Sequence, residues 1–203
     1  MKKLFLCALT MALLVACNKD KKSETKTVTD STTVVTETPA AEKKADTASS
    51  DFDSATIPVT TKDVGDFPYV TLPERLEYMN GKGEQKIYDE TFVPLNGVFV
   101  SVKGPVFNAG LQVKEEQPWS QAYAKDSYAK KITDLGAVRI FDDKIKKAEL
   151  DKYDGKLGST LDYWNNPVQV YALKKKDGTI VYFQLVTNSA SGGIRIAEAG
   201  ELK

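Results

Sequence analysis

Carboxylates are the main residues of this chain with types and spacing suited to chemistry, because its 203 residues include no histidine and only two cysteines, Cys7 and Cys17. Without histidine, a Ser–His–Asp triad, a Cys–His pair and most zinc sites cannot be assembled. What remains is acid–base work by paired carboxylates, as in glycoside hydrolysis. Asp142-Asp143, Glu115-Glu116 and Asp151 with Asp154 are the local pairs. Neighbouring residues on a strand or helix point apart, so the adjacent pairs read as caps or solvated turns. Gly155-Lys156-Leu157-Gly158-Ser159-Thr160 has glycines and hydroxyls fit for a phosphate. A P-loop, however, needs G-x-x-x-x-G-K-[ST] between strand and helix, and this spacing reads as a surface loop. Ser191-Gly192-Gly193 is explained by turn geometry between two strands. The expectation is therefore no enzyme: no catalytic residue, no cofactor and no metal ligand set.

Aromatic residues are the other candidates, since they dominate recognition surfaces. Trp119 and Tyr123 fit the core of a helix packed on a sheet. Tyr163-Trp164-Asn165-Asn166-Pro167 lies in a loop-like stretch before a strand, where a large ring is either a lid on the core or exposed to a partner; the lid is favoured. Tyr163, Trp164 and Asn165 are the candidate partner-binding residues.

The elements that must position these residues follow from periodicity. Ile87 to Tyr88, Thr91 to Val93 and the alternation from Val98 to Val102 read as strands. Gly104-Pro105 marks a turn or bulge, after which Val106 to Val113 is expected to return as a partner strand. Pro118 and Ser120 signal a helix start, and Trp119, Ala122, Tyr123, Ala129, Ile132 and Leu135 recur at helical spacing until Gly136, so a helix over 119–135 is predicted. Ala137 to Phe141 reads as a strand. Asp142 or Asp143 then caps a shorter helix with Ile145, Ala148 and Leu150 inward. Val168 to Leu173, a turn at Lys176-Asp177-Gly178 and Thr179 to Val186 form a hairpin, and Ile194 to Ala197 is the final strand. The fold class is α+β: a mostly antiparallel sheet of six to seven strands with two helices packed on one face.

The amino terminus supplies an address. Lys2 and Lys3 precede an apolar run from Leu4 to Val15 that is too short to span a hydrocarbon core of about 30 Å. It ends in Leu14-Val15-Ala16-Cys17, which looks like a lipobox, with small residues before the cut and a thiol to accept a diacylglyceryl group. Residues 1–16 are read as a lipoprotein signal peptide and Cys17 as the lipidated residue. No other cysteine would then be left to form a disulfide, so a core must hold the fold. Lys, Thr, Ser, Glu, Asp and Ala dominate up to about Thr61, giving a segment too poor in apolar residues to offset chain entropy. Residues 17–62 are taken as a lipidated, disordered tether with a span of roughly 36 Å, and 63–203 as a single α+β domain. Removing the signal peptide takes away Lys2 and Lys3 from balanced totals of 28 basic and 28 acidic residues. The near-neutral remainder gives no reason to expect nucleic acid as a partner.

Asp66 to Pro73, Gly97 to Gly104 with Val106-Phe107, Leu135 to Val138 and Asn166 to Tyr171 together resemble the amino-terminal region that precedes the peptidoglycan-binding module in some OmpA-family outer-membrane lipoproteins. The resemblance implies a non-enzymatic envelope protein. The wall contact of those relatives belongs to the separate module and does not transfer. The expected role is a binding or scaffold module tethered to the outer membrane by lipid on Cys17, with its domain in the periplasm or at the cell surface, engaging an unidentified envelope protein or polymer. The alternative is an envelope-protective inhibitor or chaperone-like lipoprotein, for example one blocking a muramidase with the Ser189 to Gly193 loop.

Overall fold

A computed structural model describes residues 51–115 and 117–200. The expectations for the signal peptide, Cys17, the tether up to residue 50 and Glu116 lie outside the described residues. Seven strands are present: β1 Leu76–Tyr78, β2 Glu84–Leu95, β3 Val98–Val113, β4 Val138–Asp143, β5 Val168–Lys174, β6 Ile180–Thr187 and β7 Gly192–Glu198. Two α-helices, α1 Gln121–Asp134 and α2 Lys147–Leu150, join them. The sheet runs β1-β3-β7-β6-β5-β4, with β2 also paired to β3, and every strand pair is antiparallel. The α+β class and the antiparallel sheet with two helices are as the sequence leads one to expect.

Asn96 (φ 50°) and Gly97 (φ 79°) close β2 onto β3 as a two-residue turn with both residues left-handed, the conformation that matches strand twist. Val106 to Val113 is not a partner returning after a turn. It continues β3, which runs straight through Gly104-Pro105. Proline has no N–H to give to a ladder, and the pairing slips here, Lys86 facing Val106 but Asp89 facing Gly104. The extra residue bulges out of β2 at Ile87-Tyr88, leaving Ile87 89% exposed. From Val106 onward β3 also pairs with β7. Before it, the β2–β3 hairpin arches away until a Cβ at Gly97 would lie 3.4 Å from the Phe141 ring on β4.

Both faces of the sheet are covered. On the first, Ala124, Tyr128 and Ile132 of α1 pack on Phe183, Leu185, Ile194, Ile196 and Leu111. On the second, Leu150 of α2, the loop residues Leu157, Leu161 and Tyr163, and Phe99 of the hairpin pack on Val168, Val170, Tyr182 and Val186. The helices therefore lie on opposite faces, correcting the one-face arrangement, because side chains alternate along β5 and β6 and both sets are apolar. Burial extends along nearly the whole of both strands.

Ser120 caps α1, its Oγ accepting from the Tyr123 amide at 3.2 Å. The buried stripe is Ala124, Tyr128 and Ile132, one residue every turn; Ala122, expected inward, is exposed. Trp119 sits ahead of the helix and donates from Nε1 to the Asn188 carbonyl at 2.9 Å. Asp142 and Asp143 belong to β4 rather than capping α2, whose N-cap is Lys146 without a side-chain bond. Ile145 and Leu150 are buried as expected, while Ala148 is exposed. The domain also begins before residue 63. Ile57 is buried, Val59 bridges Lys174 in parallel, and Thr60 donates from Oγ1 to the Leu135 carbonyl at 2.6 Å. Ile57, Val59 and Thr60, with Phe52 packed against the core, hold a segment whose average composition reads as a tether.

Gly104 has φ 147°, and a Cβ there would fall 2.1 Å from the Glu198 carbonyl oxygen. Gly104→Ala is expected to lower stability by about 2 kcal/mol or more. Gly155→Ala, at φ 72° with nothing near the added methyl, should cost only about 1 kcal/mol. Urea midpoints of the two variants at unchanged m-value check the ordering; equal losses would contradict the role given to Gly104.

Candidate functional site

β3 and β7 place Asn108 directly opposite Arg195, and both side chains meet the loop that crosses the second face. Arg195 is 6% exposed. Its Nε donates to Asn108 Oδ1 at 3.3 Å and its Nη2 to the Leu157 carbonyl at 2.9 Å. Asn108 Nδ2 donates in turn to Thr160 Oγ1 at 2.6 Å. Gly193 makes this approach possible, since a Cβ there would stand 2.3 Å from the Thr160 carbonyl oxygen. Residues 155–160 are the exposed loop expected from the sequence, and the buried Leu157 and the bonds to Arg195 and Asn108 hold it onto the sheet as a strap.

Between the strap and β2 lies an open cavity of about 220 Å³. Arg195, Lys156 and Gly158 line one wall, and Glu84, Lys86, Asp89, Glu90 and Thr91 line the β2 wall. Lys86 is held by Asp89 at 2.8 Å and by Glu84 at 3.6 Å. The Lys86 hydrogen bond holds the Asp89 carboxyl below its usual range, against some desolvation, with a smaller contribution from Arg195. Arg195 itself makes no ion pair among the described residues; its acceptors are neutral.

The candidate trio of the sequence is split. Tyr163 is 1% exposed, donates to Gln184 Oε1 at 2.6 Å, and meets the Phe99 ring edge-on at 5.4 Å. It is a lid residue and cannot touch a partner. Trp164 faces outward at 45% exposure with Lys147 Nζ 5.7 Å from its ring centre. Asn165 is exposed and donates from Nδ2 to Asp162 Oδ1 at 2.9 Å, closing a local turn. Gly192 and Gly193 lie in β7, which reduces the expected Ser189 to Gly193 loop to a turn, held by Asn188 Oδ1 accepting from the amides of Ala190 and Ser191.

Of the carboxylates raised as acid–base candidates, Asp142, Asp143 and Asp151 are engaged locally. Asp142 accepts from Arg139 and Gln169, and Asp151 pairs with Lys147 at 2.7 Å. Glu149, which the sequence reading passed over, is buried and accepts from the Phe99 amide at 2.9 Å and from Lys152 at 2.6 Å. It fastens the hairpin to α2. Among the described residues, no group of three His, Cys, Asp or Glu is placed to hold a metal ion. No described helix is long and apolar enough to cross a membrane.

The chain matches no family model and no curated protein. Function must therefore be argued from the residues themselves. Arg195 and Asn108 were not singled out from the sequence, and Lys156 was named only within the Gly155 to Thr160 segment set aside as a P-loop; the one available signal for Arg195 was a guanidinium between two isoleucines in the last strand, Ile194-Arg195-Ile196.

Burial pushes the Tyr163 phenol up to about 12 from 10.0, with Arg195 pulling the other way. The folded state holds this proton more tightly than the unfolded chain does. The associated stability, about 2–3 kcal/mol, is intact below pH 10 and fades as pH rises from 10 toward 12. Tyr163→Phe should flatten that part of the alkaline decline while costing about 1 kcal/mol at pH 8 through the lost bond to Gln184. Urea unfolding from pH 8 to 11.5 measures both, and an unchanged slope would show that Tyr163 ionises freely in the fold.

Proposed function

We propose that the chain is a lipoprotein of the bacterial envelope, held to the outer membrane by lipid on Cys17, whose domain serves as a non-enzymatic binding or scaffold module. The observation that carries this reading is Leu14-Val15-Ala16-Cys17 at the end of a short apolar run after Lys2-Lys3. A single acyl chain binds a bilayer only marginally, so the anchor needs the two or three chains that a lipidated amino-terminal cysteine carries. The domain contributes an open cavity with a buried cation in its wall, the kind of concave polar feature that receives a ligand. Local engagement of the Asp142, Asp151 and Glu149 carboxylates also fits a binding role better than acid–base turnover. The inhibitor alternative takes the Ser189 to Gly193 loop as its example of a protruding probe, and the short Asn188–Ser191 turn is a poor one for an enzyme cleft.

Growth of the native host with labelled palmitate should label the wild-type chain and leave Cys17→Ser unlabelled and in the soluble fraction. Equal labelling or equal membrane retention of the two would defeat the anchor. Crosslinking of the labelled protein in intact envelopes is expected to capture one dominant partner or polymer, and recovery of monomer alone would defeat the scaffold role.

A further inference from the structure

The cavity between β2 and the strap sorts its charges by wall. Arg195 and Lys156 stand on the β7 and strap side, while Glu84, Asp89 and Glu90 stand on the β2 side with Lys86 tied among them. We infer that this cavity is a binding site for a small zwitterion, an amino acid whose carboxylate meets Arg195 and Lys156 and whose ammonium meets the β2 carboxylates.

A buried guanidinium costs several kcal/mol in desolvation unless an opposite charge repays it. Arg195 is nine-tenths buried, its bonds to Asn108 and the Leu157 carbonyl go to neutral acceptors, and the Asp89 carboxylate across the cavity acts on it through space without forming an ion pair. Lys156, exposed at the rim, makes no ion pair among the described residues and adds a second cation to the same wall. These two point to a carboxylate. A dianion such as phosphate would also face the three carboxylates opposite, so the β2 wall selects against it. An ammonium at the far end of the ligand turns that repulsion into attraction. Size narrows the choice further: a cavity of about 220 Å³ lies below the ~300–1,000 Å³ typical for drug-sized ligands and suits one amino acid.

The proposal rests on reading the domain as a binding module and names the ligand class of that module. Calorimetric titration of the full chain, purified in detergent, with glycine, β-alanine and 4-aminobutyrate tests it, with acetate and methylammonium as half-ligands. At least one amino acid should bind saturably and at least tenfold more tightly than either half-ligand. Lys156→Gln, at an exposed side chain, and Asp89→Asn should each weaken that binding about tenfold; Arg195→Gln should abolish it. Circular dichroism of each variant separates lost binding from lost fold. Acetate binding as tightly as the amino acids would overturn the two-headed site in favour of a plain anion site. No binding by any of them, or binding indifferent to both Lys156→Gln and Asp89→Asn, would overturn the site altogether. Either failure leaves palmitate labelling and partner capture untouched, so the module reading and this ligand class fall separately.

Discussion

The second face of the sheet depends on β3 parting from β7 at Gly104-Pro105. Pro105 brings no N–H to a ladder, and Gly104 passes so close to the Glu198 carbonyl that no side chain fits. The Lys103 carbonyl still accepts from the Gly200 amide; beyond it β2 is the one strand paired with β3, and the hairpin swings over the sheet toward Phe141. Phe99 is thereby delivered to the Tyr153 and Tyr163 rings, and Glu149 can receive its amide. The cavity lies between β2 and the strap that Arg195 holds against the sheet. Had β3 stayed with β7 throughout, this face would lose the cover that Phe99 and the hairpin add to that of α2 and the loop residues.

Two charged groups are buried on this face, and they are treated differently. Glu149 receives an amide hydrogen bond and an ammonium, which together repay much of what its carboxylate loses on leaving water. Arg195 receives only a backbone carbonyl and a side-chain amide oxygen. Hydrogen bonds to neutral groups satisfy geometry but leave a field, and a low-dielectric wall focuses that field into the adjoining cavity. Tyr163, bonded to Gln184 and within the field of this charge, is where the packing of the lid and the electrostatics of the cavity meet.

Much of the fold was legible because local chemistry agreed with tertiary need. The Lys176-Asp177-Gly178 turn, the Ser120 cap and the left-handed Gly136 at the helix end stand where their residue types demand. Where reading failed, a distant contact had overruled a local cue. Gly104-Pro105 looks like a turn, yet the bulge opposite it in β2 keeps the strand continuous. The helix stripe was misphased because Tyr128, with its polar tip, is a core residue, while Ala122 and the equally apolar-looking Ala148 face solvent. Both-sided burial of β5 and β6 placed the helices on opposite faces, something no single helix pattern reveals. Asn96-Gly97 was readable as a hairpin turn and was missed. Arg195 was not readable as a site, since its role comes from Asn108, Leu157 and Lys156, which lie far from it along the chain.

The bulge at Ile87-Tyr88 has a consequence for how copies of this protein coexist. β2 lies at the margin of the sheet, and a long regular margin is a template on which a strand of a neighbouring molecule can add and aggregate. An extra residue breaks the spacing of amides and carbonyls that such an intruder would need, and Lys86 and Asp89 flank the break with charge. The two exposed apolar side chains are thus the visible cost of a strand that resists fibril-like growth. Straightening β2 by deleting one of them would tidy the surface and remove that protection.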